Sequence, residues 1–523
     1  MSPYLLPLAA PLPLFLIAIL CAFCAERRPR WMPKLAEACA MLALLVSLLA
    51  LVLLIARGVG ESRLIGMAGV GLSARLDAVS ASMLLLVSFV GWIVVRYTST
   101  YLDGEARQGA FTGWLCATLA AVLLLVAAGN LVQLVVAWIG TSIALHRLLL
   151  FYAGREAARR AARKKQLFST LGAAALIAAT GMLAFAYGST DIAKINAAAR
   201  VGEASGMIGF AAAALALAAL LKSAQFPTHG WLTEVMEAPT PVSALLHAGV
   251  INGGGFLLIR FADVMLLAPG VLALLAMVGG FTAIFGALVM LTQPAVKTSL
   301  AWSTVAQMGF MTLQCGLALF PLALLHIVAH SLYKAHAFLA SGGAVEEVIS
   351  TRQPGPVAVP DGTAVGRAFF LALAIYAAIG TSFGLVFGLQ HESPQALALG
   401  AILIFGVAYL LAQGLADGAP RALTGKTIVY SAAAAIGYFS LQVTAAWLTA
   451  GTLPTTPAPD RLAWTLMVLA ILSFGAVAVA QALLPLWADH PAARGLRVHL
   501  SNGFYINAVL DQMLGGWSAR KPS

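Results

Sequence analysis

The chain has 523 residues, of which 61% are hydrophobic and only 10% are charged, and its mean hydropathy is +0.91. A soluble domain of this length cannot bury so much apolar surface, and the apolar runs lack the alternation of a membrane β-barrel, so both classes are excluded. The net charge of +11 does not indicate nucleic-acid binding, because the basic residues cluster in short connections between apolar runs.

Apolar runs of about twenty residues recur from end to end and predict an all-α, polytopic membrane protein of about 15 transmembrane helices. The first run, 5–23, has no basic segment before it and no small-residue cleavage site, so it is interpreted as a retained span rather than a signal peptide. In chain order, the predicted spans are 3–25, 35–56, 77–97, 111–128, 131–152, 166–188, 205–226, 240–259, 264–291, 298–319, 321–343, 367–389, 396–414, 427–449 and 462–486.

The charges in the connections predict the orientation. Basic residues follow spans one and five, precede span fourteen and follow the last span, whereas opposite connections such as 452–460 are poor in base. The positive-inside rule then puts the N-terminus outside and the C-terminus inside. The basic residues in question are Arg27, Arg28, Arg30, Lys34, Arg147, Arg155, Arg159, Arg160, Arg163, Lys164, Lys165, Arg421, Lys426, Arg494 and Arg497.

No soluble domain is predicted, and the chain divides by its polar stretches. Residues 1–345 form a transmembrane body, and 346–366 form an inside loop that is too short and too rich in Pro and Gly to fold alone. Residues 367–487 carry four further spans. Residues 488–523 form a cytoplasmic tail of mixed polarity, which is either an interfacial helix or a docking strip for a partner.

Several conspicuous residues are interpreted as structural. Cys21 and Cys24 form a CxxC pair, but no second pair or histidine cluster completes a zinc site, so no metal site and no cofactor are predicted. All five cysteines fall in predicted spans and act as small apolar residues. Asp77 and Arg96, at opposite ends of span three, are interpreted as anchors.

The segment 222–227 is the most informative, because a lysine lies inside an apolar run and a proline follows it. A lysine at membrane depth costs about 3 kcal/mol. Pro227 has no N–H for the carbonyl of Ser223, which predicts a discontinuous helix with an unpaired carbonyl beside Lys222. Charge beside broken backbone is typical of ion paths, and the alternative is a snorkelling lysine. An inverted repeat would put a second break near Ser341 or Gly380.

Span eleven carries His326, His330 and Lys334 at i, i+4 and i+8, so they lie along one helix face and predict a proton wire. His247, in span eight, adds another intramembrane base, with a satisfied core histidine as the alternative. Metal binding by the histidines competes with the proton wire, but the lysine next in line would repel the ion. Lys297, at the inner edge of span ten, either joins the path or snorkels.

Span five has no carboxylate, and His146, near its inner end, is one of its few ionisable residues. Two acids, Glu234 and Glu237, lie in the inside connection between spans seven and eight. These three residues are the candidates for an ion entrance or for the counter-charge of Lys222.

Long motifs in the right order resemble the antiporter-like membrane subunits, which include the large pumping subunits of respiratory complex I and of Mrp-type sodium/proton antiporters. The motifs are 222–227, 236–248, 301–309 and 330–335. The resemblance, over spans three to eleven, implies that Lys222 is the central lysine of the first half-channel, His247 its lateral relay and Lys334 the bridge toward the second.

The chain departs from that family pattern in two places. The family's glutamate in span five, which pairs with the lysine, aligns with Ile139, and the lysine or glutamate expected in span twelve is missing from 367–389. The long lateral C-terminal helix of the complex I subunit is not found either. A complete complex I pump is therefore not expected.

Residues 228–236 and 252–256 make the chain most similar to the B subunits of the Dab inorganic-carbon accumulation system. This resemblance implies a multi-pass subunit of a bacterial inner membrane that conducts protons or sodium and is not itself an enzyme. It also implies a large cytoplasmic, zinc-containing A subunit, similar to β-carbonic anhydrases, which converts CO2 to bicarbonate. The alternatives are a proton-translocating subunit of a complex I-like or Mrp-type antiporter, and a passive scaffold for a cytoplasmic enzyme.

Overall fold

The protein is described by a computed structural model over residues 2–23, 31–67, 69–203, 206–343, 361–388, 393–415 and 421–513, and these residues are predominantly helical. The helices are α1 (Leu12–Ala22), α2 (Met32–Arg57), α3 (Ala78–Tyr101), α4 (Gln108–Val126), α5 (Leu131–Leu149), α6 (Glu156–Tyr187), α7 (Ile192–Arg200), α8 (Ile208–Lys222), α9 (Gly230–Glu234), α10 (Thr240–Ala248), α11 (Gly253–Arg260), α12 (Ala262–Leu266), α13 (Pro269–Met290), α14 (Val296–Gly316), α15 (Phe320–Ala340), α16 (Gly362–Phe387), α17 (Pro394–Gly414), α18 (Arg421–Thr449), α19 (Arg461–Ala482), α20 (Leu484–Trp487), α21 (Pro491–Ser501) and α22 (Ile506–Met513).

Short 3-10 helices and strands complete the described chain. The 3-10 helices are Pro3–Ala9, Val235–Glu237, Val250–Asn252 and Gly503–Tyr505. Between α2 and α3, β1 (Gly60–Glu61) pairs antiparallel with β4 (Arg75–Leu76), and β2 (Ile65–Met67) pairs antiparallel with β3 (Val70–Leu72).

The predicted all-α membrane class is confirmed. Among the described residues, twelve helices are long and apolar enough to cross a membrane, and the apolar segments Ile208–Lys222 and Pro394–Ala408 are shorter. Every predicted span overlaps one of these helices or α14, which falls short of the hydropathy of the others because Lys297 and several Thr, Ser and Gln residues interrupt it.

The main hydrophobic core joins α1 to α15, with Trp138, Phe256 and Phe338 among its buried side chains. A second cluster lies where α13 and α14 meet α17 and α19, and a third lies among α16, α17 and the end of α19. The C-terminal helices therefore have apolar contacts of their own as well as contacts with the body.

The structure corrects two expectations about helix boundaries. The connection predicted after span five is largely the start of α6, because alanine, arginine and lysine are strong helix formers and 156–165 is rich in them. Of the two places expected for a second break, Gly380 lies inside the continuous helix α16, whereas α15 ends at Ala340 and the described chain stops at Gly343, so the expectation at Ser341 stays a prediction. The second break lies between α10 and α11, at Val250–Asn252, where three glycines follow and weaken the helix.

The tail predicted at 488–523 forms α21 and α22 as far as Met513. Cys24, residues 346–360 of the predicted inside loop and residues 514–523 lie outside the described residues.

Candidate functional site

Lys222 is the last residue of α8, and its side chain is only 8% exposed. The predicted discontinuity near Pro227 is confirmed, since the chain leaves the helix at Ser223, Ala224 takes a left-handed conformation and a cis peptide precedes Pro227. The unpaired Ser223 carbonyl was a wrong expectation, because the Gln225 side-chain amide donates to it at 3.0 Å. The negative end of the α8 dipole favours positive charge at Lys222.

Two residues of α5, four positions apart on one face, surround the Lys222 ammonium. Its Nζ donates to the Ser142 hydroxyl at 3.4 Å and lies 4.7 Å from the centre of the Trp138 ring. A cation above an indole face is attracted to it. Among the described residues, no carboxylate forms an ion pair with Lys222, and the expected position of the family's glutamate is Ile139.

A second buried lysine, which the sequence reasoning missed, reaches the same place from α6. Lys165 is 2% exposed, and its Nζ donates to the carbonyl oxygen of Ser142 at 2.6 Å. The basic run 155–165 predicts a connection between spans for Lys165, whereas the structure buries this lysine in α6. The helix-forming composition of 156–165 is the signal that would have extended the helix and turned this lysine inward.

The start of α11 packs directly against the end of α8. A Cβ on Gly254 would overlap the Ser223 hydroxyl oxygen and lie 2.5 Å from the Ala219 carbonyl oxygen, so only glycine fits there. The Ser223 hydroxyl donates to the Ile251 carbonyl at 3.1 Å. The breaks after α8 and after α10 therefore lie against each other beside Lys222.

Glu234 was a candidate counter-charge for Lys222, and the structure pairs it with a different lysine. Its carboxylate is 2.6 Å from Nζ of Lys164, which also binds Asp511 of α22 at 2.6 Å. Burial raises the pKa of Glu234 above its ordinary value, although the Lys164 ammonium opposes this shift. The tail is thus bound to the segment that follows the break after Lys222.

His146 and Glu237 are the two other candidates for the ion entrance. His146, half-buried on α5 one turn after Ser142, lies near Lys165 of α6. The side chain of Glu237 lies outside the part of the chain that the structure describes.

His247 and His330 meet between α10 and α15. His330 Nε2 is 3.2 Å from the His247 carbonyl oxygen, and the buried His247 ring stacks on Phe338 with centroids 4.4 Å apart. Asn252, in the second break, donates to the Ser331 hydroxyl at 2.8 Å. This bond fixes the histidine helix beside the two broken segments.

His326 continues the line, with its ring centre 6.1 Å from that of His330 and its Nδ1 2.9 Å from Gln314 Oε1. Both histidines line a cavity of about 370 Å³ between α14, α15, α17 and α18. Its lining is mixed, and its polar residues are Gln307, Gln314, His326, His330, Tyr333 and Tyr438.

The remaining predicted bases, Lys334 of α15 and Lys297 of α14, lie near the start of α14. Lys334 is fully buried, and its Nζ donates to the Leu300 carbonyl at 3.3 Å. Lys297, one turn earlier in α14 and half-buried, donates to the Thr240 hydroxyl at 2.8 Å. The structure therefore places Lys165 and Lys222 at Ser142 and the histidines with Lys334 along α15, and α11 packs against both α8 and α15.

Two family models match the chain. The NADH:quinone oxidoreductase/Mrp antiporter transmembrane family matches residues 128–354, and the N-terminal region of complex I chain 5 matches residues 65–112. The first range contains every base just described. The Mrp complex from Dietzia sp. DQ12-45-1b has a similar fold, with a TM-score of 0.66 at 25% identity over 97% of this chain and 59% of that chain. Respiratory complex I from Thermus thermophilus with bound NADH has a TM-score of 0.55 at 19% identity, over 95% and 99% of the two chains, which is a likeness of fold alone.

Curated relatives are similar over longer stretches. The probable inorganic carbon transporter subunit DabB2 of Halothiobacillus neapolitanus is 40% identical over 460 residues, covering 86% of this chain and 81% of the relative. The probable subunit DabB of Hydrogenovibrio crunogenus is 43% identical over 64% of this chain and 63% of its own length. NADH-quinone oxidoreductase subunit L of Mycobacterium tuberculosis is 35% identical over 52% of this chain and 43% of its own. The chain therefore belongs to the antiporter-like membrane subunits, in their group of DabB-type inorganic carbon transporter subunits.

Proposed function

We propose that this chain is the membrane subunit of an energy-coupled inorganic carbon accumulation complex in a bacterial inner membrane. Protons, or sodium ions, move inward along its buried bases and drive a large cytoplasmic, zinc-containing partner that resembles a carbonic anhydrase and forms bicarbonate from CO2. The observation that carries this proposal is the burial of four bases, Lys165, Lys222, His330 and Lys334, on helices that pack together through α11. Similarity to the DabB subunits supports the carbon substrate.

The first step uses the two lysines at Ser142. Two ammonium groups on one buried residue repel each other strongly, because the low local dielectric screens little. Protonation of Lys165 therefore promotes the release of a proton from Lys222. In this arrangement the charge of Lys165 controls the protonation of Lys222, a role that the family pattern gives to the glutamate of span five.

The second step leads from Lys222 to the histidines. The hydrogen bonds from Ser223 to Ile251 and from Asn252 to Ser331 hold the broken segments against α15, where His330 begins the next group. Neutral imidazole is both donor and acceptor, so His247, His330 and His326 can pass a proton when water bridges the longer gaps. Lys334 lies one turn after His330 in α15, and Lys297 lies near the start of α14, where Lys334 binds the Leu300 carbonyl.

The coupling to the partner uses the inside face. We assign the N-terminus to the outside and divide the chain into a body (1–345), an inside loop (346–366), four further helices (367–487) and a tail (488–523). Lys164 ties Glu234 to Asp511 of the tail, next to the break after Lys222. A partner bound at the tail is thereby linked mechanically to the central lysine.

Growth of a host that lacks its own carbon accumulation tests the proposal. The chain is produced together with its cytoplasmic partner, and growth in air is compared for wild type and Lys222→Ala. Loss of growth at unchanged membrane levels is expected, whereas Lys426→Ala, at an exposed position of α18, should grow like wild type. Normal growth of Lys222→Ala, and of apolar variants of His247 and Lys334, would instead favour the passive scaffold.

A proton-translocating subunit of an Mrp-type or complex I-like antiporter is the second candidate, which the fold similarity to the Mrp complex favours. The two candidate functions differ in the partner subunits and in the transport activity that they predict. Antiport in inverted vesicles without the cytoplasmic partner, or copurification with quinone-reducing subunits, would support this second function over carbon accumulation.

A further inference from the structure

A large apolar crevice lies away from these buried bases, where α13 and α19 meet the tail helix α21. Its volume is about 950 Å³, and almost all of its lining is apolar. The apolar lining includes Phe226, Phe281, Phe285, Leu288, Leu496 and Phe504. Space with such walls holds water poorly, so it suits an apolar occupant.

Charge is confined to the rim of this crevice. Arg494 and Arg497 of α21 line it, and Asp489 lies 3.4 Å from Arg494 in an exposed ion pair. Arg497 carries a second positive charge, so the rim is net cationic. The Trp487 indole, which donates to the Ala480 carbonyl at 3.2 Å, lies at the same level. Tryptophan is enriched where the bilayer meets water.

The helix that closes the crevice is amphipathic. In α21, Ala493, Leu496 and Leu500 line the crevice, while Arg494 and Arg497 flank them on adjacent positions. This helix begins nine positions after the end of α19, the last candidate membrane span among the described residues, and so lies near the membrane surface. Basic side chains at that depth attract anionic lipid headgroups.

We propose that the crevice is a binding site for one anionic diacyl phospholipid. Its acyl chains lie along Phe281, Phe285 and Leu288, and its phosphate accepts hydrogen bonds from Arg494 and Arg497. A quinone has a neutral head and would leave the net positive charge of the rim, that of Arg497 above all, without a counter-charge. A partner helix would have to cross the charged rim with its own apolar face.

The same crevice extends to the break after Lys222. Phe226, which precedes Pro227, lines the crevice, and its ring packs against Phe285 with centroids 5.4 Å apart. Phe504 of the tail packs on the other side of Phe285 at 6.2 Å. The bound lipid therefore contacts both the tail and the broken segment, although its binding does not depend on ion conduction.

Lipid analysis of the full-length protein tests the proposal. The protein is purified in mild detergent from membranes that contain phosphatidylglycerol and phosphatidylethanolamine, washed extensively, and its retained lipids are quantified by mass spectrometry. Wild type should retain about one phosphatidylglycerol per chain, and Arg494→Gln/Arg497→Gln should retain roughly tenfold less. Arg421→Gln/Lys426→Gln, at exposed positions of α18, should match wild type.

A second variant separates the site from a folding defect. Leu288→Trp fills the crevice without changing charge, so it should also lose the lipid while eluting as a single species. Unchanged phosphatidylglycerol in both variants overturns the proposal. So does equal retention of phosphatidylethanolamine by wild type, or the finding of a quinone or a peptide in place of phospholipid.

Discussion

Lys165 and Lys222, from two different helices, bind the same residue of α5. Lys165 donates to the carbonyl oxygen of Ser142 at 2.6 Å, and Lys222 donates to its hydroxyl at 3.4 Å. Among the described residues, neither lysine has a carboxylate partner. The charge state of each lysine must therefore depend on that of the other, because their repulsion is not offset by an acid.

Replacing Lys165 should disable the path as thoroughly as replacing Lys222. We expect Lys165→Met to lower carbon uptake or ion flux by about tenfold or more, which corresponds to about 1.4 kcal/mol of barrier. The measurement is isotope uptake in cells with equal amounts of the protein. Arg163→Met, at an exposed position of the same helix, is the matched control. Wild-type uptake by Lys165→Met would remove Lys165 from the path.

Glu234 should make stability depend on pH in an unusual direction. Because burial holds its pKa above the ordinary 4.5, the folded protein binds a proton there at a pH where the unfolded chain does not. By linkage, this residue then adds stability as pH falls toward 4.5 and removes it as pH rises through the folded-state pKa. Thermal unfolding of Glu234→Gln between about pH 7 and pH 5 should lack this component. Identical pH slopes for both proteins would contradict the assignment.

The pair of Asp77 and Arg260 should be essential for folding rather than for transport. Asp77 is fully buried, caps α3 and accepts hydrogen bonds from Arg260 at 2.5 Å and from Arg75 at 2.7 Å. Arg260→Leu leaves part of a buried charge without its partner, which costs about 3–5 kcal/mol. We expect a large fall in the thermal midpoint and in the amount of protein in the membrane.

Arg96 provides the control for that prediction, because it lies toward the other end of α3. Its guanidinium is mostly exposed and lies 3.8 Å from Glu37. A surface pair of this kind contributes about 0–1 kcal/mol, so Arg96→Leu should unfold nearly like wild type. Equal losses of thermal stability in Arg96→Leu and Arg260→Leu would show that burial does not determine how much each ion pair contributes. Arg96 would then be as strong an anchor as Asp77.

Adjacent glycines at the start of α11 should respond differently to the same change. In Gly254→Ala, the new Cβ would overlap the Ser223 hydroxyl, and overpacking of this kind costs about 1–3 kcal/mol. In Gly253→Ala, the nearest atom to the new Cβ is Lys222 Cε at 3.5 Å, an ordinary contact. Thermal unfolding should therefore separate the two variants. A Gly254→Ala protein as stable as Gly253→Ala would show that α11 does not need to lie so close to α8.

Much of the fold could be predicted because each span responds to the bilayer on its own. A run of apolar residues must match the membrane thickness wherever its neighbours lie, so the predicted spans overlap the observed helices. The break near Pro227 is equally local, since proline lacks the N–H that a helix needs. The second break, at Val250–Asn252, follows from three glycines and from packing against α8, and the periodicity of the segment did not reveal it.

The pairing of the charges could not be predicted. Hydropathy indicates that Lys222, His247, His330 and Lys334 lie at membrane depth, because each lies inside an apolar run. A charge at that depth is costly, which marks these residues as unusual but does not say which groups they contact. Their roles in an ion path remain predictions. A lysine next to a predicted surface connection, such as Lys165, carries no such local signal.

The sequence by itself determined the membrane class, the approximate spans and the presence of a lysine beside a broken helix, since each depends on one segment and its solvent. Only the tertiary structure decided that Lys165 and Lys222 share Ser142, and that Glu234 and Asp511 bind Lys164 instead of Lys222. The physical reason is that ion pairs act over a few ångströms between side chains on different helices. Their partners therefore depend on how the helices pack, which no single segment specifies.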